Sequence, residues 1–380
     1  MNEARPLRVL HLHSTFSPGG KELRAAKLMN AFGAGAEHVV VSGVAGELGA
    51  AAAVDPAVQV TYPDDFPSLA GKPGPLRWWR IARAMQPFDL VLTYNWGSMD
   101  AVGARWLYQH LLRLPPLVHH EDGFNSEEAA GLKPIRNRFR RLTLRAAAAT
   151  VVPSRVLEHI ARTVWHVPAA RLKRIPNGIP LGEYDRPRTA ALPGHAKRPG
   201  ALWLGTMAGL RAVKNLPRLV RAFAALPSPW ELVIVGDGPE RGAILAETAR
   251  LGLADRVHLP GFAANPAEVL PLFDLFALSS DSEQFPISVV EAMAAGLAVV
   301  SPAVGDVLEI VSVENRPLIT PPGDEAALAA ALAEAASDPA RRRTIGTANQ
   351  ARAQAEFGEE AMIAAYRETY GAALKRDTFP

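Results

Sequence analysis

A short unbroken apolar run, a turn and an amphipathic stretch recur along this 380-residue chain in two series. The first series runs LRVLHLH from Leu7, HVVVSG from His38, FDLVLTY from Phe88, PLVHH from Pro116 and ATVVPS from Ala149. Helical patterns fill 20–32, 74–86, 98–113 and 133–148 between them. The runs do not alternate polar and apolar residues, as expected of parallel strands covered on both faces, and strand–helix alternation predicts a doubly wound α/β domain. From Leu172 to Gly200 the sequence is rich in Pro, Gly and charge, which suits a linker. The rhythm then restarts with ALWLG from Ala201, ELVIVG from Glu231, RVHLPG from Arg256, DLFALSS from Asp274 and AVVS from Ala298. Residues 323–376 read as helix. The chain therefore predicts two α/β domains with a cleft between them, and in such sheets ligands sit at the carboxyl ends of the strands.

No apolar run reaches the ~18–20 residues that a membrane-spanning helix needs, and the N-terminus shows no secretory h-region. The chain has no cysteine, which excludes disulfides, thiolate metal sites and cysteine nucleophiles. A cytoplasmic location is the expectation. The formal charge of +3 divides into +6 over residues 1–185 and −3 over the rest, so one half is suited to face something anionic. Lys133, Arg136, Arg138, Arg140, Arg141 and Arg145, with Ile135, Phe139 and Leu142 between them, form the densest basic stretch. It reads either as a solvated helix face or as a membrane-surface helix; no nucleic-acid reading module accompanies it. Leu76-Arg77-Trp78-Trp79-Arg80-Ile81 carries the same ambiguity. Its plain reading is a core helix that buries Trp79.

The candidate chemistry lies after the strands. Gly19-Gly20 opens a helix after the first run, where a phosphate can approach backbone N–H groups. G-x-G-x-x-G is absent, and the second strand does not end on the acidic residue that binds a dinucleotide ribose. In the second series Gly205 ends the first strand, and Arg211 and Lys214 are two cations spaced to clamp a diphosphate. Asp237-Gly238-Pro239 reads as a turn with Pro at the first helical position. The richest segment runs from Ser279 to Gly296: Pro286 fits a first helical turn, and Val290, Met293, Ala294 and Leu297 form a core stripe. Glu283 then precedes the helix and Glu291 lies within it. A helix N-terminus between two carboxylates suits a ligand with phosphates in the middle and hydroxyls at both ends. His119-His120-Glu121-Asp122 contains four ligand-type residues in a row, but strand alternation sends neighbours to opposite faces, so no metal is expected there. No D-x-D or G-x-S-x-G occurs.

In order and spacing these segments resemble the family 4 (group 1) glycosyltransferases. The likeness spans nearly the whole chain: Gly19-Gly20, His119–Gly123, Pro176-Asn177-Gly178-Ile179, Gly205 with Arg211 and Lys214, Gly236–Pro239, and Glu283-x7-Glu291. It implies a GT-B fold of two facing Rossmann-like domains, over 1–182 and 183–357, with a C-terminal helix over 358–380 packing back on the first. It implies a retaining transfer from a nucleoside-diphosphate sugar, UDP rather than GDP, to a glycan, lipid-linked or other hydroxyl acceptor, with no metal or other cofactor. By the same resemblance Arg211 and Lys214 neutralise the diphosphate, Glu283 holds sugar hydroxyls near the reacting carbon, and Glu291 binds the ribose. Gly19, Gly20, Gly205, Phe285 and Ile287 also face the donor, and the backbone at Gly261-Phe262 meets the base. The family's histidine in the segment that closes the run from Pro116 corresponds to His119 or His120, or is displaced by Asp122; His120 is the preferred assignment. Gln284 replaces the glycine usual after the first glutamate, an expected loss of backbone freedom. The rival readings are a nucleotide-sugar epimerase, a sugar phosphorylase, for which Lys375 is a poor cofactor lysine, and a non-catalytic nucleotide-sugar binder.

Overall fold

The computed structural model describes residues 5–124, 131–184, 192 and 194–380. It divides into two compact units, residues 1–177 with 360–380, and residues 178–359. The sequence had placed these divisions at 182/183 and 357/358.

The first unit holds a seven-stranded sheet: β1 (Leu7–His13), β2 (Ala36–Ser42), β3 (Val60–Thr61), β4 (Leu90–Tyr94), β5 (Leu117–His120), β6 (Ala149–Val152) and β7 (Leu172–Arg174). Their order is β3-β2-β1-β4-β5-β6-β7, all pairings parallel. β4 and β5 are buried at every residue, which explains why they carry no polar alternation. β7 was absorbed into the expected linker because three residues reading Leu-Lys-Arg on a sheet edge carry no hydrophobic signature. Register aligns His13 with Ser42 and Tyr94 with His120, while Leu12 pairs Thr93 and Thr93 pairs His119. His13, Tyr94 and His120 thus share one face at the carboxyl edge, next to the β1/β4 switch in strand order.

The second unit repeats the scheme with β8 (Leu202–Met207), β9 (Trp230–Val235), β10 (Val257–Gly261), β11 (Leu275–Ala277), β12 (Val299–Pro302) and β13 (Ile319–Thr320), in the order β10-β9-β8-β11-β12-β13 and again parallel. The stretch read as one helical tail is three helices, Glu325–Ser337, Pro339–Glu356 and Glu359–Leu374. Met362, Tyr366 and Tyr370 of the last, with Phe379 beyond it, are buried in one cluster with Val9, Met29 and Phe32 of the first unit.

Two surface expectations need correction. In the helix Pro75–Met85 it is Trp78 that is buried, its Nε1 donating to Asp100 at 2.7 Å, whereas Trp79 is exposed. In the helix Pro134–Thr143 Arg140 is fully buried, donating from Nε to the buried Glu121 at 3.0 Å. Its guanidinium lies 4.9–5.6 Å from the ring centres of Trp165, Trp96 and Phe124. One arginine of the basic stretch is therefore core, held by a carboxylate and three aromatic faces.

Candidate active site

The loops beyond β8, β9 and β10 are laced together by backbone hydrogen bonds. Ala208 N donates to Val235 O, Leu210 N to Asp237 O, and Gly236 N to Gly261 O, at 2.8–3.0 Å. Gly236 has φ 144°, and a Cβ there would stand 1.9 Å from the Ala208 carbonyl, so only glycine allows this approach. Asp237-Gly238-Pro239 is a turn, and the helix begins at Arg241, two residues later than the proline suggested. Gly205 lies inside β8, and a Cβ there would overlap the ring of Phe273 at 2.0–2.2 Å. Glycine at 205 thus has a packing cause of its own.

This platform carries the backbone of both cations. Arg211 precedes a 3₁₀ turn, Ala212–Lys214, and Asn215 follows in the left-handed region. Asn215 Nδ2 reaches Asp281 at 3.1 Å, Asp281 N donates to Val213 O at 2.8 Å, and Ser279 Oγ donates to Lys214 O at 2.9 Å. The segment after β11 is thereby tied to the turn that carries Lys214. Lys214 Nζ meets Glu283 Oε1 at 2.5 Å, with the side chains 16% and 12% exposed. Ser280 Oγ donates to that same oxygen at 2.6 Å. The structure thus brings together the cation and the first carboxylate that the sequence singled out. Arg211 is exposed and, among the described residues, its side chain makes no hydrogen bond or ion pair.

The helix Ile287–Ala294 starts after Pro286, which is its N-cap, and it buries Val290, Met293 and Ala294 as the stripe predicted. Phe285 is buried against Phe357, ring centres 5.7 Å apart, while Ile287 and Glu291 are half-buried on the helix. Gln284 does not have a positive φ, so this loop does not require the glycine it lacks. Gly261 ends β10 and Phe262 beside it is 78% exposed.

In the first unit Gly19 caps the helix Gly20–Phe32, as the paired glycines suggested. Alternation divides the strand-five quartet. His119 turns to Thr93 Oγ1 at 2.9 Å and to Glu121 at 3.6 Å, on the side of Arg140. His120 and Asp122 turn the other way. The Asp122 carboxylate pairs with the buried Arg24 guanidinium at 2.8 Å, and Arg24 also reaches Asn177 at 2.9 Å. Burial works to raise the Asp122 pKa, but the Arg24 charge and hydrogen bond hold it below its ordinary value. Among the described residues no three His, Asp or Glu side chains stand where they would share an ion.

His120, the preferred assignment, lies inside the core of the first unit. Its Nδ1 lies 3.1 Å from the Thr93 carbonyl and must carry the proton, so Nε2 accepts from Tyr370 Oη at 2.9 Å. The ring is buried, and burial, aided by the Arg24 charge, pulls its pKa down to about 3. Both ring nitrogens of His120 are therefore engaged within the first unit, one by β4 and the other by the last helix. Tyr370 lies 250 residues away in sequence, so no local signal announces it. Ser280 was missed as well, although its position three residues before Glu283 was legible.

Two parallel sheets of this order, each with its charged loops at the carboxyl ends of the strands, define a protein of two Rossmann-like domains of the GT-B type. Residues 18–183 match the model of Glycosyltransferase Family 4, and residues 191–352 match that of Glycosyl transferases group 1. The chain belongs to the family 4, group 1 glycosyltransferases. It is 30% identical over 173 residues to the N-acetyl-alpha-D-glucosaminyl L-malate synthase of Bacillus anthracis, a match that spans 45% of each protein. It is 27% identical over 299 residues to the 2-deoxystreptamine N-acetyl-D-glucosaminyltransferase of Streptomyces fradiae, covering 70% of this chain and 67% of that one. The fold matches Anabaena HepE in complex with UDP, with a TM-score of 0.80 at 23% identity, over 96% of this chain and 100% of that one.

Proposed function

We propose that this protein is a retaining, metal-independent glycosyltransferase that moves a sugar from a nucleoside diphosphate to a hydroxyl of a glycan or lipid-linked acceptor. The observation that carries the reading is the meeting of Lys214 with Glu283 beside Arg211, at the carboxyl ends of β8 and β11, ahead of the helix that carries Glu291. Arg211 and Lys214 take the diphosphate charge that a metal takes elsewhere, and the amides opening the helix Ile287–Ala294 add to them. Glu283 receives sugar hydroxyls and Glu291 the ribose. The bond from the anomeric carbon to the phosphate oxygen breaks as the acceptor oxygen bonds to the same face, and the acceptor proton passes to the departing phosphate. Stabilising that phosphate and the cationic sugar electrostatically is the protein's main contribution. UDP is favoured over GDP because the HepE complexes contain UDP and UDP-glucose. The test is a panel of UDP- and GDP-sugars with EDTA present, the anomeric configuration of the product being read by NMR. Retention in EDTA supports the reading; inversion, or a loss with EDTA that Mg²⁺ or Mn²⁺ restores, overturns it.

The first unit supports an acceptor held at an anionic membrane on the cytoplasmic side. Helices Pro75–Met85, Met99–Tyr108 and Pro134–Thr143 pack in sequence. Their outer surfaces expose Leu76, Trp79, Leu107, Ile135 and Leu142, with Ile135 82% exposed, among the exposed Arg80, Arg138 and Arg141. Exposed apolar side chains and arginines on the same helices suit a lipid headgroup region, each cation contributing about 1 kcal/mol near an anionic surface. No described helix is long and apolar enough to cross a membrane. Co-sedimentation with anionic vesicles at low salt, weakened by high salt and by R138E/R141E, is the expected result. No binding to anionic vesicles at low salt removes the membrane from the proposal.

A further inference from the structure

The donor-site carboxylate is held in an unequal way. Glu283 Oε1 takes both Lys214 Nζ at 2.5 Å and Ser280 Oγ at 2.6 Å, and no other side-chain partner of Glu283 occurs among the described residues. Lys214 Nζ in turn has no described partner besides Glu283. A lysine that neutralises a diphosphate must turn its charge from the carboxylate to the phosphate. Once it does, the tie left on Glu283 is the Ser280 hydroxyl.

That serine is built to stay in place. It is 1% exposed. The backbone on either side is pinned, Leu278 N to Val300 O at 2.9 Å and Asp281 N to Val213 O at 2.8 Å. Asp281 is itself held by Arg218 at 2.6 Å. A buried hydroxyl on a fixed backbone fixes one carboxylate oxygen and leaves Oε2 for a hydroxyl of the ligand. Glu283 sits in a loop, and without such a tie its side chain has several rotamers to choose among.

We infer that Ser280 is a positioning residue that sets the donor-sugar selectivity of this site by holding Glu283 Oε1 while Lys214 serves the diphosphate. The inference rests on the donor-site reading above. It separates two parts of donor recognition: Lys214 and Arg211 govern the nucleoside diphosphate, and Ser280, acting through Glu283, governs the sugar. Ser280→Ala removes one oxygen from a buried position and adds no bulk.

The experiment measures dissociation constants by calorimetry, without acceptor, for UDP, UDP-glucose and UDP-N-acetylglucosamine, using wild type, S280A and S280T. Wild type is expected to bind one of the two nucleotide sugars more tightly than UDP. In S280A that sugar-dependent gain falls by about tenfold or to nothing, the size of a lost hydrogen bond to a charged group. UDP affinity stays within about twofold, which also shows that S280A is folded. S280T, which keeps the hydroxyl, restores the gain. An unchanged preference between the two sugars and an unchanged gain over UDP in S280A overturn the inference, as does a wild type that gains nothing from either sugar. A wild type that binds none of the three nucleotides instead overturns the donor-site reading itself.

Discussion

Replacing Glu283 with glutamine is expected to tighten UDP binding while it destroys transfer. In the free protein Lys214 is committed to Glu283, and both groups are largely shielded from water. Two unit charges ~4 Å apart at an effective dielectric of ~20 attract by about 4 kcal/mol. Most of this is offset by desolvation, and a pair with this residual exposure retains about 1–2 kcal/mol net. UDP must take Lys214 from its carboxylate and lose that amount; E283Q has no such loss. UDP affinity should therefore rise about 5- to 30-fold. Transfer should fall by at least about 10²-fold, because the sugar loses a group aimed at its reacting centre. Calorimetric titration with UDP at low and moderate salt reads the first effect, and initial rates read the second. Lys214→Ala supplies the control: it should weaken UDP about tenfold or more, and adding E283Q to it should bring no gain, since the two residues act as one unit. UDP binding that is unchanged or weaker in E283Q would refute the exchange of Lys214 between carboxylate and phosphate.

Acid should destabilise the first unit before its carboxylates titrate. Burial pulls His120 down to about 3 and His38 to about 4, and it lowers His11 and His13 well below 6.5. A depressed histidine contributes stability that is complete above ~6.5 and lost as pH falls toward the folded value, about 1.4 kcal/mol per unit of pH for each group. Urea midpoints should therefore drop between pH 7 and 5, and a flat profile there would contradict the buried neutral assignment. Arg140→Ala should destabilise the protein by about 3–5 kcal/mol by taking the guanidinium partner from the buried Glu121 carboxylate, visible as a lowered thermal midpoint. Replacing the exposed Arg141 in the same helix should change that midpoint little.

Much of the fold was legible because both sheets are buried on two sides. Runs such as LVLTY and ELVIV have no polar alternation to misread, and the turn residues between them mark the helices. β3, β7 and β13 escaped because two or three residues at or near a sheet edge cannot show a period. The exchange of Trp78 for Trp79 was avoidable: Trp78, Ile81, Ala82 and Met85 follow i, i+3, i+4, i+7, and all four are buried. The meeting of Lys214 with Glu283 was within reach of the sequence because each lies in the loop after a strand of the second series, and the strands of such a sheet end on one side. The surroundings of His120 were not, since they depend on Tyr370 and on the Thr93 carbonyl, which only the folded sheet brings near. Arg140 was hidden for the same reason. Its partner Glu121 and its ring of Trp96, Phe124 and Trp165 come from separate segments, and by composition alone an arginine belongs in water.

The first unit is discontinuous, and this orders the events of biosynthesis. Its core includes Tyr366, Tyr370 and Phe379, and the Arg24–Asp122 pair lies beside Tyr366, whose ring is 5.6 Å from the guanidinium. A ribosome that has made residues 1–177 has made seven strands but left the cluster around Val9, Met29 and Phe32 open on one side. The second unit is one uninterrupted segment and can close as soon as it emerges. The half synthesised first is therefore the half completed last. Throughout the translation of some 180 intervening codons it must present an uncovered apolar face to whatever chaperones are at hand. Fragments made to study the first half in isolation inherit that exposed face unless residues 360–380 are joined back to them.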